Sequence, residues 1–86
     1  GIVADRLVRI LPEQDTGWRI AAFIGDNALR EPPLRVLPTT ALWFAEHRIG
    51  TANRFRVSGE VTHYRGRRYL FLRKIILERD MGQFPG

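Results

Sequence analysis

The chain has no cysteine, a single lysine, a single methionine and only two histidines, and each shortage closes a door. Without cysteine there is no disulfide or thiolate-metal staple, so the apolar core alone must hold the fold, and the redox compartment stays undetermined. No apolar stretch approaches the ~20 residues that a membrane-spanning helix needs, which excludes insertion by such a helix. His47 and His63 stand apart, with no second histidine or cysteine at metal-ligand spacing to either, so no metal site is expected. Ser58, Thr62 and Thr39 lack an adjacent base, and the nine acidic residues are too scattered to supply an acid–base carboxylate pair. No glycine-rich phosphate loop opens a helix. The expectation is a protein that binds rather than catalyses, without a cofactor.

What the chain does contain is an ordinary apolar share, 44% of 86 residues, enough for one small domain with a modest core. Residues 1–80 are expected to form that domain and residues 81–86 a loose tail. The chain opens on Gly1-Ile2 without an initiator methionine or signal-like segment, so it is expected to be a piece of a longer or processed protein. Basic residues exceed acidic ones by five, and the whole surplus lies after residue 49. Such a surplus attracts polyanions. Arginine supplies 13 of the 14 basic residues. A GC-rich coding sequence produces the same preference without selection for binding; it explains arginine over lysine but not the clustering.

Punctuation divides the chain into short elements. Residues 3–11, VADRLVRIL, alternate roughly and stop at Pro12; Glu13 to Gly17 supplies a turn; and residues 18–24, WRIAAFI, read as a second strand. Gly25-Asp26-Asn27 and a loop with Pro32-Pro33 lead to a short third strand, Leu34 to Leu37, closed by Pro38. The period then changes. Thr39 or Thr40 can cap a helix over 41–49 with Leu42, Ala45 and Ile49 on one face and Gly50 as the stop. Trp43 and Phe44 fall off that face and are expected to bury against loops. Arg54 to Tyr64 and Arg68 to Arg79 read as two further strands hinged at Arg65-Gly66-Arg67, with Gly59 marking a bulge or sharp bend and Tyr64 and Tyr69 expected to pair across the turn. The fold class is mainly β, in the order β-β-β-α-β-β. Five short strands avoid open edges by closing into a barrel, with the one helix capping an end.

That order resembles the OB-fold. Val57-Ser58-Gly59-Glu60-Val61, followed by Tyr64-Arg65-Gly66-Arg67 and Tyr69-Leu70, looks like the V-x-G-x-V-x-x-Y-x-G-x-x-Y-L hairpin of bacterial OB-like modules. Pro33 to Pro38, a helix and this hairpin together are also similar to a poorly characterised bacterial family found in exported or envelope proteins. The resemblance implies an OB-like barrel that binds oligonucleotides, oligosaccharides or proteins, on the face of the second and third strands between the first-to-second and fourth-to-fifth loops. It also leans towards an exported or cell-envelope setting.

Mapped onto this chain, those loops differ in sign: Glu13 and Asp15 on one, Arg65, Arg67 and neighbouring Arg68 on the other. In the second strand Ile20, Ala22 and Ile24 are expected to point inward, leaving Arg19 and Phe23 outside beside Arg35. An exposed aromatic between arginines can stack bases, at ~1 to 3 kcal/mol per base. Otherwise Phe23 packs beneath the Pro32-Pro33 loop, and the arginines form a solvated edge that discourages aggregation. The candidate ligand-binding residues are Arg19, Phe23, Arg35, Tyr64, Arg65, Arg67 and Arg68. Two readings remain: a protein-interaction module using the hairpin edge or the Trp43-Phe44 surface, and a module binding single-stranded nucleic acid or another polyanion through the basic hairpin tip.

Overall fold

The computed structural model describes residues 1–25, 31–47 and 54–78. Its elements are β1 (Ile2–Pro12), β2 (Arg19–Phe23), β3 (Leu34–Val36), α1 (Thr40–Glu46), β4 (Arg54–Tyr64) and β5 (Arg67–Leu77). The strands close into a barrel in the order β1-β2-β3-β5-β4, with β4 returning to β1. All neighbours are antiparallel except β3 and β5, which run parallel. The architecture is the mainly β, OB-like barrel that the element order implies. The expected helix stop at Ile49-Gly50, the Asp26-Asn27 turn and the tail at 81–86 lie outside the described residues.

The core is lined by Val8 and Ile10 of β1, Ala21 of β2, Leu34 and Val36 of β3, Phe55 and Val57 of β4, and Leu70 and Leu72 of β5, with Leu42 and Ala45 of α1 closing one end. This corrects the expected facing of β2. Ala21 is fully buried, whereas Ile20, Ala22 and Ile24 are only half-buried on the outer wall. The reason is register: Ala21 lies between Ile10 on one side and Leu34 on the other, both pointing inward, so a narrow barrel has room there only for a methyl group. Arg19 and Phe23 share the parity of Ala21 and therefore turn towards the two barrel ends, not outward.

Two features bend the long strands enough to close the barrel. In β1 the register slips between Val3 and Arg6, where Asp5 takes φ 50° and its amide donates to Ser58 Oγ at 2.9 Å. In β5 Arg73 is an additional residue, since Ser58 faces Lys74 while Gly59 faces Leu72. A Cβ at Gly59 would lie 2.2 Å from the Phe71 carbonyl oxygen, a backbone atom that cannot step aside. The glycine is there because two strands cross too closely for any side chain.

Thr39 is the helix cap, its Oγ1 accepting from Leu42 N at 3.3 Å, and His47 ends the helix, its amide donating to Trp43 O. Trp43 and Phe44 do not bury against loops: they are 53% and 49% exposed. The β4–β5 turn is tighter than a three-residue hinge. Tyr64 pairs with Arg67, and Arg65 and Gly66 carry the positive φ values, 51° and 78°, of a two-residue hairpin turn. Tyr69 consequently faces Thr62, so the expected Tyr64–Tyr69 pair does not form.

Candidate functional site

The strands bring Leu11, Ile20, Arg35, Tyr69 and Thr62 into one outward row across the barrel wall. Arg35 is the centre of this wall. Its Nε and one terminal nitrogen donate to the two carboxylate oxygens of Glu13 at 3.1 and 2.7 Å, and its guanidinium lies 5.1 Å from the Trp18 ring centre. Trp18 in turn meets Tyr69 at 5.5 Å between ring centres. The bidentate bond from Arg35 holds the Glu13 carboxyl below the usual carboxylate range, helped by Thr16 and at longer range by Arg67. The Arg35 guanidinium is pushed correspondingly up by Glu13. Glu13 in the first loop is therefore neutralised by the wall beside it, which leaves Asp15 as the loop's one acidic residue without an ion pair among the described residues.

Of the predicted residues, Tyr64, Arg65, Arg67 and Arg68 gather at the exposed hairpin tip, where the Arg65 guanidinium lies 5.3 Å from the Tyr64 ring centre. Arg35 sits on the wall between the loops. The other two are elsewhere. Arg19 reaches from the inner side of β2 towards α1, where its Nε is 3.6 Å from Glu46 and is buried without a hydrogen bond among the described residues. It ties the wall to the capping helix. Phe23 packs against the core at the opposite end, with the Arg6 guanidinium 4.6 Å above its ring. Arg6 donates to both carboxylate oxygens of Glu31, one at 2.9 Å, and this bond draws the Glu31 carboxyl down. A cleft of about 560 Å³ at that end is floored by Val3, Phe23, Leu34 and Val61 and edged by Arg6, Glu31, Pro32 and Arg68.

A pattern runs through these pairs. All five glutamates are held by arginine: Glu13 by Arg35, Glu31 by Arg6, Glu46 by Arg19, Glu60 by Arg73 and Glu78 by Arg56. Arg65, Arg67 and Arg68 have no such partner among the described residues. No group of three His, Asp or Glu side chains that could hold a metal occurs among the described residues, and none of their helices is long and apolar enough to cross a membrane.

The surface that sequence reasoning placed least well lies beside α1. Trp43 and Phe44 meet edge to face at 5.5 Å, and Trp43 stacks on His47 at 3.8 Å. Phe44 also forms one wall of a cleft of about 600 Å³ whose other wall is β5 from Arg73 to Leu77. Ile76 in that wall is 47% exposed. Trp43, Phe44 and Ile76 thus present an apolar surface on the flank of the barrel, edged by Arg73 and Lys74. The signal available in sequence was Ile75-Ile76-Leu77, a run with no polar residue for the outward position. Compared with known protein families, curated proteins and solved structures, the chain matches none.

Proposed function

We propose that this chain is a non-catalytic OB-like binding module that acts through protein interactions, docking its partner on the α1–β5 flank. One observation carries the reading: Phe44 and Ile76, two large apolar side chains each about half exposed, line one cleft, and the half-exposed Trp43 extends that surface by meeting Phe44 edge to face at 5.5 Å. Single exposed apolar residues are ordinary on protein surfaces, but a cluster around a groove is a common mark of a docking site. The similarity of Pro33 to Pro38, the helix and the hairpin together to a bacterial family found in exported or envelope proteins supports a partner within a cell-envelope assembly. A photo-crosslinking amino acid placed at Trp43 or at Tyr64 in the native cell tests the reading. Discrete protein adducts from position 43 and none from position 64 are expected. Adducts from position 64 alone would overturn it.

A second reading is favoured by the ion-pair pattern. Five described arginines are left over after every glutamate has been matched: Arg9 and Arg54, which face each other across β1 and β4, and Arg65, Arg67 and Arg68, which sit together at the exposed end of the hairpin. Such a tip suits single-stranded nucleic acid or another polyanion, with Tyr64 as a stacking surface. Fluorescence anisotropy with labelled single-stranded DNA and RNA, at low and near-physiological salt, tests it. Binding that persists at the higher salt and disappears when all three arginines become alanine supports this reading; weak binding indifferent to the change removes it.

A further inference from the structure

We infer that the partner is taken up as an added β-strand: an extended, partly acidic peptide segment that pairs with the free edge of β5 in the groove beside α1. The inference rests on the protein-interaction reading and specifies how that flank is used.

The strand lengths are the starting point. β3 has three residues and β5 has eleven, so β3 pairs with β5 only at Tyr69 and Leu70, ending with Leu37 N donating to Leu70 O at 2.9 Å. From Phe71 to Leu77, β5 is paired on its β4 side alone among the described residues. Which backbone groups this leaves open follows from the ladder. Glu78 N donates to Arg54 O at 2.9 Å, so positions 54, 56 and 58 exchange their bonds with 78, 76 and 74. The amides and carbonyls of Ile75 and Leu77 therefore point away from β4. No backbone bond from the described residues reaches them.

That open edge borders the apolar groove. Thr40 and Ala41 of α1 are small and leave space opposite it, while Phe44 and Ile76 flank the space with apolar surface. An extended segment laid along β5 satisfies the open backbone groups and sends alternate side chains onto Phe44, the combination by which strand addition achieves affinity and selectivity. Charge sets the partner's chemistry. Lys74 on the rim has no ion pair among the described residues, and Arg73 shares only the exposed Glu60. An acidic residue in the segment, outside the apolar positions, complements them.

The test is selection of a phage-displayed random decapeptide library on the folded chain, followed by NMR with the best peptide synthesised. Enriched peptides should alternate apolar and polar residues and carry aspartate or glutamate, and the bound peptide should slow amide exchange at Ile75 and Leu77 by about tenfold or more. Lys74→Glu should weaken that peptide by about fivefold, the effect of reversing one rim charge. Leu77→Pro removes an edge donor without touching a β4 bond and should abolish binding; if it unfolds the barrel, the exchange rates at Ile75 and Leu77 in the wild-type complex decide the matter alone. Peptides that perturb Trp43 and Phe44 but leave those two amides unprotected would overturn strand addition while the docking flank stands. Failure to enrich any peptide over a Phe44→Asp control would overturn both.

Discussion

The outer wall around Arg35 and the flank around Phe44 are built from similar materials, arginines and aromatic rings on β-strands, yet they are in opposite states. On the wall, Arg35 is engaged with Glu13 and lies against Trp18, and Trp18 meets Tyr69, so a ligand would have to displace contacts already made. On the flank, Phe44 and Ile76 stand about half exposed beside a strand edge whose backbone groups have no partner among the described residues. The expected ligand face of an OB-like barrel is thus self-satisfied in this chain, and the unmet interactions lie on the other side of β5. Residue type does not distinguish a binding surface from a structural one; what each group already touches does.

The change that breaks both regions together is Gly59→Ala. Its Cβ would press on the Phe71 carbonyl oxygen, and the strands must part, at a cost of about 3 kcal/mol, the upper end for overpacking. Chemical denaturation of the variant should show the loss. Next in size is the wall. Glu13→Gln weakens the charged bond to Arg35 and should lower Tm at neutral pH. The sign of the pH dependence follows from the lowered Glu13 pKa: as pH falls, the unfolded chain takes up the proton first, so the contribution is present above the ordinary value of 4.5 and lost as pH drops through the folded-state value. The Tm curves of wild type and Glu13→Gln should converge in acid.

The flank should behave differently. Phe44→Ala removes a half-exposed ring and should change stability by no more than about 0.5 kcal/mol, yet it should remove partner crosslinking from the neighbouring position 43. Smallest is the hairpin tip: changing Arg65, Arg67 and Arg68 to alanine should leave Tm within a degree or so, the response expected of exposed charges without ion partners. A drop in Tm from the tip larger than that from Glu13→Gln would reverse the ranking of the two regions.

Much of the barrel is legible in the chain because its boundaries rest on local chemistry. Pro12, Pro38, Thr39 and the Arg65-Gly66 turn act within a few residues of themselves, and each stands where an element begins or ends. Gly59 announces close strand contact for the same reason. The facing of β2 is not legible, because WRIAAFI is apolar on both parities and the choice is made by Ile10 and Leu34, its neighbours in space. The tip cluster follows from adjacency along the chain, whereas the dispersal of Arg19 and Phe23 to opposite barrel ends follows from that facing. Trp43 and Phe44 are legible as an apolar surface off the core face of the helix, but the open strand edge beside them is not, because it depends on a mismatch between two strands, three residues of β3 against eleven of β5, which no single segment displays.

The open edge of β5 is therefore the claim to test first, by residue-resolved amide hydrogen exchange on the free protein. The amides of Lys74 and Ile76 face β4, while those of Ile75 and Leu77 face the groove. Exchange at 75 and 77 is predicted to be about 100-fold faster than at 74 and 76, an alternation that only a one-sided strand produces. Equal protection at all four positions would mean that the edge is already paired, and the docking flank would lose the feature that sets it apart from the wall.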